Sequence, residues 1–444
     1  MTTPSRPDDL PSGHPGDSRA LTTASAPRLS PEGHDPESTV RVPITGALRR
    51  LLIWAFVAQV GPFVALQSVT VVLLPLAVQN VDPAAKAANL AVVVVISGIF
   101  SIVYPPVAGL LSDRTRSRLG RRSPWMLVGA LVAAAGLVLL SGAGGMVSLV
   151  LTYLLLVMGL NTLGGPLSAI MPDRVPRGVR GVFSAAIGLG VLVGTLGGQA
   201  IGSLLAALGD AGYWVLAGLL LLVVFGFVRA NPDHDNRTEP RPPLPVKSLL
   251  STWFAPLTHH DFRCAFLGRM LTFFGYTMIA SYQLYFLQDY IGLGDDAVDL
   301  LPVFALAALA ATLISTVVGG PLSDRIGRRK PIVAISGTLI GAAVLGPWVS
   351  ATFGGFLFYA LVAGLGFGAF LAVDQALMSE VLPATDDSGK DLGILNIAVA
   401  LPTTLAPAIT GLIVTTIGYW AVFPVALGSA VLGAAIVLRI RSVR

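Results

Sequence analysis

The chain has 444 residues, of which 54% are hydrophobic and only 12% are charged. Soluble domains carry about 25% charged residues, and a soluble fold of this length could not cover so much apolar surface. The net charge of +5 does not indicate a nucleic-acid partner, because the basic residues lie in short loops between apolar segments. The composition excludes a soluble enzyme, a disordered chain and a nucleic-acid-binding module, and it indicates an integral membrane protein in a lipid bilayer.

The counts of reactive residues give no sign of catalysis. Cys264 is the only cysteine, so an intrachain disulfide is excluded. The five histidines all lie in polar stretches, and no phosphate-binding loop of the GxxxxGK[ST] type is present. We therefore predict no catalytic residues, no metal site and no cofactor.

Hydropathy divides the chain into a tail and two sets of six apolar stretches. Residues 1–47, rich in Pro and Ser, are predicted to be a disordered cytoplasmic tail and not a signal peptide. The polar segment 231–262 is predicted to be a cytoplasmic linker between bundles at 48–230 and 263–440, and 441–444 a second tail. The apolar stretches are 51–79, 89–112, 124–141, 146–171, 181–208, 212–230, 263–288, 298–320, 331–349, 354–381, 391–416 and 419–438.

Each stretch is near the ~20 residues that span a bilayer, and backbone groups in lipid are satisfied within helices. The predicted fold is an all-α membrane protein of twelve transmembrane helices. If the N-terminus is cytoplasmic, all but two of the 29 Lys and Arg residues lie in cytoplasmic segments. The exceptions are Lys86, outside, and Arg269, within an apolar stretch. The positive-inside rule then places both termini in the cytoplasm of a cell-membrane protein.

Two loop motifs occur in both halves. GLLSDRTRSRLGRRSP at 109–124 is matched by GPLSDRIGRRKP at 320–331, and MPDRVP at 171–176 is matched by MSEVLP at 378–383. The two pairs have nearly the same separation along the chain. A six-helix unit duplicated in parallel orientation explains both.

GxLSDRxGRR after the second helix of each half resembles the signature of the major facilitator superfamily. The resemblance implies two six-helix bundles and alternating access between them. The longer first loop, together with NTLGGPLSA at 161–169, is similar to the proton-coupled sucrose transporters and the glycoside–pentoside–hexuronide:cation symporters. Ser168 stands where those carriers have an arginine, and the apolar stretch before Asn161 lacks their acidic residue.

The charged residues of the repeated loops are expected to form a cytoplasmic gate, with acids and bases pairing across the bundles, Asp173 with Arg180 and Glu380 with Lys390. The alternative is that the arginines only set topology. The predicted gate residues are Asp113, Arg114, Arg121, Arg122, Asp173, Arg180, Asp324, Arg325, Arg328, Arg329, Glu380 and Lys390.

Two charges lie inside apolar stretches. Arg269 and Asp374 are each about 9 Å from the cytoplasmic end of their helices, so an ion pair between them is geometrically possible. A charge within the bilayer is energetically costly, so a residue of this kind is expected to have a specific role. One hypothesis is proton coupling, in which protonation of Asp374 releases Arg269. The other is a fixed structural pair, or an Arg269 that reaches the lipid headgroups.

Polar and aromatic residues within the helices are candidates for a sugar site. Amides donate and accept hydrogen bonds, which suits sugar hydroxyls, and aromatic rings suit sugar faces. For each residue alone, a structural role is the better explanation: hydrogen bonding between helices for the amides and packing for the aromatic rings. The predicted cavity residues are Gln59, Phe63, Gln67, Asn161, Tyr276, Tyr282, Gln375 and Asn396.

Small residues recur every four positions on helices five and eight, where they allow close backbone approach. The resemblance implies that these two helices pack against each other between the halves. The residues are Gly190, Gly194, Gly198 and Gly202 on helix five, and Ala307, Ala311, Ser315 and Gly319 on helix eight.

The sequence favours a monomeric secondary transporter that moves a sugar or glycoside together with a proton. Two alternatives remain: a proton-coupled exporter of drugs or metabolites, and a membrane sensor or scaffold without flux. A membrane enzyme is disfavoured, since no catalytic constellation is present.

Overall fold

A computed structural model describes residues 43–237, 259–381 and 388–441. These residues form helices without a β-strand. The predicted tail up to residue 42, the linker residues 238–258 and residues 442–444 lie outside the described part. Within these described ranges, twelve helical spans follow one another when the bent pair in α7 is counted as one: α1 Gly46–Val81, α2 Lys86–Arg114, α3 Ser123–Ser141, α4 Met146–Arg174, α5 Arg180–Ala206, α6 Asp210–Ala230, α7 His260–Ala280 with Gln283–Tyr290, α8 Asp296–Ile326, α9 Arg329–Val349, α10 Phe353–Val381, α11 Ser388–Thr416 and α12 Tyr419–Val437.

The spans alternate in direction, so their ends form two sides of the molecule. We call the side with loops 115–122, 175–179 and 327–328 the arginine-rich side. The side with loops 82–85, 142–145, 207–209, 291–295, 350–352 and 417–418 is called the opposite side. The twelve predicted stretches agree with these helices to within a few residues, because hydropathy and helix length determine both.

Two spans, α1 and α7, are irregular near the opposite side. A π-helical turn, Val69–Leu73, interrupts α1 just before Pro75, whose ring nitrogen has no hydrogen to donate to the helix. The second, α7, is bent by 49° between Ala280 and Gln283 and then has a π-helical turn at Phe286–Tyr290. The hydroxyl of Ser281 donates to the carbonyl of Thr277 at 2.8 Å, a bond that favours bending. The sequence predicts a transmembrane helix over 263–288, and the structure has a span here that the bend divides into two helical segments.

The two halves have related packing. In the first half, α1 packs on α5, and α4 packs on α2 and α3. In the second half, α7 packs on α11 and α12, and α10 packs on α8 and α9. Contacts between the halves are made by α2 with α11 and by α5 with α8. The contact expected between helices five and eight is therefore present.

The small residues of α5 and α8, however, face their own halves. A Cβ added at Gly194 would lie 2.7 Å from the Cβ of Phe63 in α1, and one at Gly202 would lie 2.8 Å from the Cα of Ser68. Ala311 and Ser315 of α8 likewise contact glycines of α10. These small residues bring α5 against α1 and α8 against α10, within each half.

Candidate transport site

The repeated loop of the first half forms an ion-pair network on the arginine-rich side. Arg122 lies 2.7 Å from Asp113 and 3.1 Å from Asp173, and Arg121 lies 2.9 Å from Asp173. These residues all belong to the first half, because α2 and α3 both pack on α4 and bring the loop beside the end of α4. Between described residues, the ion pairs of Asp113, Arg122 and Asp173 thus join helix ends within the first half, where the sequence predicts pairing across the bundles.

Arg180 corrects one further expected pairing, whereas the expected Glu380–Lys390 pair involves a side chain outside the described part of the structure. Arg180 donates to the backbone carbonyls of Val175 and Pro172 at 3.0 and 3.2 Å, and so caps the end of α4 instead of pairing with Asp173. Glu380 pairs with Arg329 at 2.8 Å, within the second half. Arg325 and Arg328 are exposed and Arg114 is half-buried. The side chains of Asp324 and Lys390 lie outside the described part of the structure.

A short segment after α6 holds this network in place. The Asn236 side chain accepts a hydrogen bond from the Ser117 backbone and donates to the Thr115 carbonyl, both at 3.0 Å. Asp233 accepts from the Arg174 side chain at 2.6 Å and from the Arg122 backbone at 3.2 Å. We call residues 231–236 the clamp segment. The sequence pattern predicts a linker here, although four Asn and Asp side chains shortly after a helix are typical of residues that bind backbone groups.

The carboxylate of Asp233 has a perturbed proton affinity. Burial would raise its pKa, but hydrogen bonds from Arg174 and from the Arg122 backbone outweigh burial and hold the pKa below its usual value of 3.8. Asp233 is therefore ionised at neutral pH. The clamp segment contributes a fixed negative charge to a loop that is otherwise rich in arginine.

The two embedded charges meet inside the second half. Nη1 of Arg269 lies 3.0 Å from Oδ2 of Asp374, and the side chains are 11% and 6% exposed. The distance is that of an ion pair, yet the angle does not make a hydrogen bond. Within the described residues, Nε and Nη1 of Arg269 have no hydrogen-bond acceptor. The charges are paired, but the guanidinium is incompletely satisfied.

Aromatic rings continue the contact between α7 and α10. Arg269, Phe273 and Tyr276 lie on one face of α7, and Phe273 packs edge-on against Phe367 and Phe370 of α10, each at 5.7 Å. Tyr276 stacks on Phe367 at 4.4 Å with nearly parallel rings. Arg269 lies 5.8 Å from the Phe273 ring centroid. We call these stacked side chains between α7 and α10 the ladder. The ion pair lies at one end of the ladder, next to the packed aromatic rings.

The predicted cavity residues of the first half are dispersed. Gln59, 9% exposed, lines a crevice of about 240 Å³, including space open to solvent, with Ala55, Leu167, Ile170, Met171, Phe183 and Ile187. The Cβ atoms of Phe63 and Gln67 face Gly194 and Gly198 in the contact between α1 and α5. Asn161 donates to the Ser101 hydroxyl at 3.2 Å and to the Val157 carbonyl at 3.0 Å.

In the second half, Gln375 is exposed next to the buried Asp374. Tyr282 is 1% exposed, and its hydroxyl donates to the Ala87 carbonyl of α2 at 2.7 Å. It follows the bend of α7 and is buried on the opposite side in contact with the first half. The side chain of Asn396 lies outside the described residues. The sequence offered no signal for the Tyr282 contact, since no local pattern marks a bond between distant helices.

Chemically, this arrangement can exchange a proton at a buried acid. Asp374 is beside an exposed amide on one side and a counter-charge on the other. Removing the negative charge of Asp374 would leave Arg269 as an uncompensated buried cation.

Comparisons with known proteins identify the fold family. Residues 78–443 match the family model described as MFS/sugar transport protein. The fosmidomycin resistance protein of Escherichia coli (strain K12) is 26% identical over 298 residues, which cover 63% of this chain and 67% of that protein.

Solved structures share the architecture. The nucleoside transporter NupG has a TM-score of 0.68 at 15% identity and covers 89% of this chain and 99% of its own. The D-xylose–proton symporter has a TM-score of 0.66 at 15% identity, with 89% and 98% covered. Because the family model matches most of the chain, the chain belongs to the MFS/sugar transport protein family, and it is a transporter of the major facilitator superfamily, not an enzyme.

Proposed function

We propose that the protein is a proton-coupled symporter of a sugar or glycoside. Membership of the MFS/sugar transport family supports the substrate class, and the similar fold of a D-xylose–proton symporter is compatible with it. The observation that carries the coupling is the buried pair of Asp374 and Arg269 at 3.0 Å. Embedded charges are costly and are commonly retained for ion or substrate pathways.

We propose that the arginine-rich side is cytoplasmic, which follows the positive-inside rule. On the opposite side, α7 donates hydrogen bonds to both α1 and α2. On the arginine-rich side, the ion pairs between described residues stay within one half. This distribution is the one expected of a conformation that opens to the cytoplasm.

In the proposed cycle, a proton and a sugar enter from the outside and leave inside. Protonation of the Asp374 carboxylate removes the charge that holds Arg269, which frees the guanidinium to seek another acceptor. Release of the proton to the cytoplasm restores the pair. The ladder of Phe273, Tyr276 and Phe367 would transmit this change between α7 and α10.

The sugar is proposed to bind between the halves near Gln375 and the ring of Tyr276, with Gln59 and Asn161 on the first half. Amide groups can donate to and accept from sugar hydroxyls. Phe63, Gln67 and Asn396 complete the proposed cavity residues as candidates for motion toward the substrate. The gate residues remain proposed to bias the two-state equilibrium through networks within each half.

The test is proton flux into proteoliposomes that contain a pH-sensitive dye, with a panel of mono- and disaccharides added outside. Sugar-dependent acidification that is lost in Asp374→Asn would support symport with coupling at Asp374. Asp82→Asn is a matched control, because Asp82 pairs with Asn89 at 3.0 Å away from the site. Survival of acidification in Asp374→Asn would make the pair structural.

The second candidate is an exporter that exchanges a drug or metabolite for protons. The likeness to a fosmidomycin resistance protein favours it. Folded protein that responds to no sugar in the panel, yet makes the lumen of inside-out vesicles alkaline when a drug is added to the bath, would place export first. In such vesicles the drug enters the lumen as protons leave it.

A further inference from the structure

The opposite side carries a charge cluster that joins the two halves. Nζ of Lys86, on α2, lies 2.9 Å from Oδ1 of Asp289 on α7 and 3.3 Å from Oε1 of Gln79 on α1. The same ammonium lies 4.8 Å from the Tyr285 ring centroid. Tyr419 donates to the other oxygen of Asp289 at 2.6 Å. Both charges are thus held by several groups, and the lysine is only 16% exposed.

Two buried tyrosines of α7 reinforce this closure. Tyr282 donates to the Ala87 carbonyl of α2 at 2.7 Å, and Tyr285 donates to the Pro75 carbonyl of α1 at 2.8 Å. Tyr282 is 1% exposed and Tyr285 is fully buried. Both follow the bend in α7, which directs the second segment of that helix toward the first half. The acceptors are backbone carbonyls, so the bonds require a defined approach of the two halves.

We propose that Lys86, Asp289, Tyr282 and Tyr285 form a lock that keeps the opposite side closed while the arginine-rich side is open. Among the described residues, the Lys86–Asp289 pair is the ion pair that links the two halves. Opening the opposite side must separate this pair and expose two buried hydroxyl bonds. A charge-assisted bond that breaks only in one conformation biases the equilibrium toward the other.

This inference rests on the alternating-access part of the proposed function and not on the sugar or the proton. The lock keeps the opposite side closed before any substrate is bound. It should therefore be visible in purified protein without substrate. Loss of the lock would raise the population that is open on the opposite side.

The measurement is a spin-label distance across the opposite side. Cys264→Ser removes the single cysteine, after which cysteines replace Leu208, 53% exposed, and the exposed Ala351. These residues lie in loops of different halves. Pulsed electron paramagnetic resonance then gives the distribution of distances between the two labels. Protein that keeps the four lock residues should give a single distance between the two labels, shorter than the distance in molecules open on the opposite side.

Lys86→Met and Asp289→Asn should each add a longer distance, with the ratio of open to closed molecules rising about tenfold, the scale of a charged hydrogen bond. The double exchange Lys86→Asp with Asp289→Lys should recover most of the short distance. That recovery also shows that the single variants did not act by general damage.

The tyrosines supply a matched pair. Tyr285→Phe removes a bond between the halves, whereas Tyr213→Phe removes a similar buried bond to the Leu73 carbonyl within the first half. Tyr285→Phe should add the longer distance and Tyr213→Phe should not. Unchanged distances in Lys86→Met, Asp289→Asn and Tyr285→Phe, or an equal change in Tyr213→Phe, would overturn the lock. Absence of sugar flux would count against the symport proposal and leave this result intact.

Discussion

Asp374 and Arg269 show how the function of a residue depends on its partner and its surroundings. Each side chain is removed from water, and the ring of Phe273, which packs against Phe370 of α10, lies beside the Arg269 guanidinium. Breaking a buried pair by removing one partner commonly costs about 3–5 kcal/mol, whereas neutralising both partners costs much less. The pair therefore contributes less to net stability than its single variants suggest.

Arg269→Met is expected to lower the free energy of unfolding by about 3–5 kcal/mol, because it leaves Asp374 charged and unpaired. The double variant Arg269→Met with Asp374→Asn should regain most of this stability. It should still exchange sugar across the membrane but should not acidify the vesicles. Chemical denaturation in detergent and the dye assay measure the two effects. A double variant as unstable as Arg269→Met would contradict the expected coupling between the residues.

Asp233 is the second residue with a specific prediction. Asp233→Asn is expected to lower the melting temperature of the first half, since Arg174 and the Arg122 backbone lose a charged acceptor. Asp235→Asn is the control, because Asp235 is exposed and pairs only locally with Arg237 at 2.8 Å.

The pH dependence of this effect has a defined sign. The folded pKa of Asp233 lies below its usual value of 3.8, so its contribution is fully present above the unfolded pKa and is lost as the pH falls through the lowered one. Wild type and Asp233→Asn should differ in melting temperature at pH 5 to 7 and converge in strong acid. An equal difference at every pH would show that shape, and not charge, is responsible.

At the scale of elements, glycine decides how closely helices approach. A side chain at Gly194 would meet the Cβ of Phe63 at 2.7 Å and the Val60 carbonyl at 2.9 Å, whereas one at Gly197 would meet nothing within 4 Å. The hydroxyl of Ser68 also donates to the Gly198 carbonyl at 2.6 Å. We infer that α1 and α5 move as one unit, because their separation is set by backbone contact.

Gly194→Ala is expected to destabilise the protein by about 1–3 kcal/mol through overpacking. Gly197→Ala, three residues along the same helix, should be neutral or stabilising by up to about 1 kcal/mol, because alanine is the better helix former. Melting temperatures of the two purified variants measure the difference. Equal effects would contradict the close α1–α5 contact.

At the scale of the molecule, much of the fold follows from the sequence. Hydropathy gives twelve spans, and the repeated GxLSDR loops give the duplication, because both depend on local composition. The bend of α7, the clamp segment and the Tyr282 contact do not follow. Each depends on which distant backbone carbonyl or amide a polar side chain reaches, and the local sequence does not determine that contact. The matching depth of Arg269 and Asp374 in the bilayer does follow from the sequence, because the rise per residue places both at the same distance from the ends of their helices.

The coupled cycle sets a limit on accumulation. One proton carried with a neutral sugar down a potential of about 100 mV supplies about 2.3 kcal/mol, which corresponds to roughly 50-fold accumulation. Radiolabelled sugar in energised proteoliposomes should approach this ratio, and an ionophore should abolish it. Asp374→Asn should equilibrate the sugar without accumulation. Sugar accumulation that is independent of the membrane potential would contradict the movement of net charge with the sugar.

The clamp segment also indicates where the polypeptide can be divided. Asn231, Asp233 and Asn236 are bound to the first half through Arg174 and the Thr115–Ser117 backbone. The covalent connection to the second half therefore begins only after these residues. Two co-expressed fragments separated after Arg237 should each retain a complete set of six helices and reassemble in the membrane. A division placed before Asn231 should fail, because it removes from the first fragment the residues that hold its own loop.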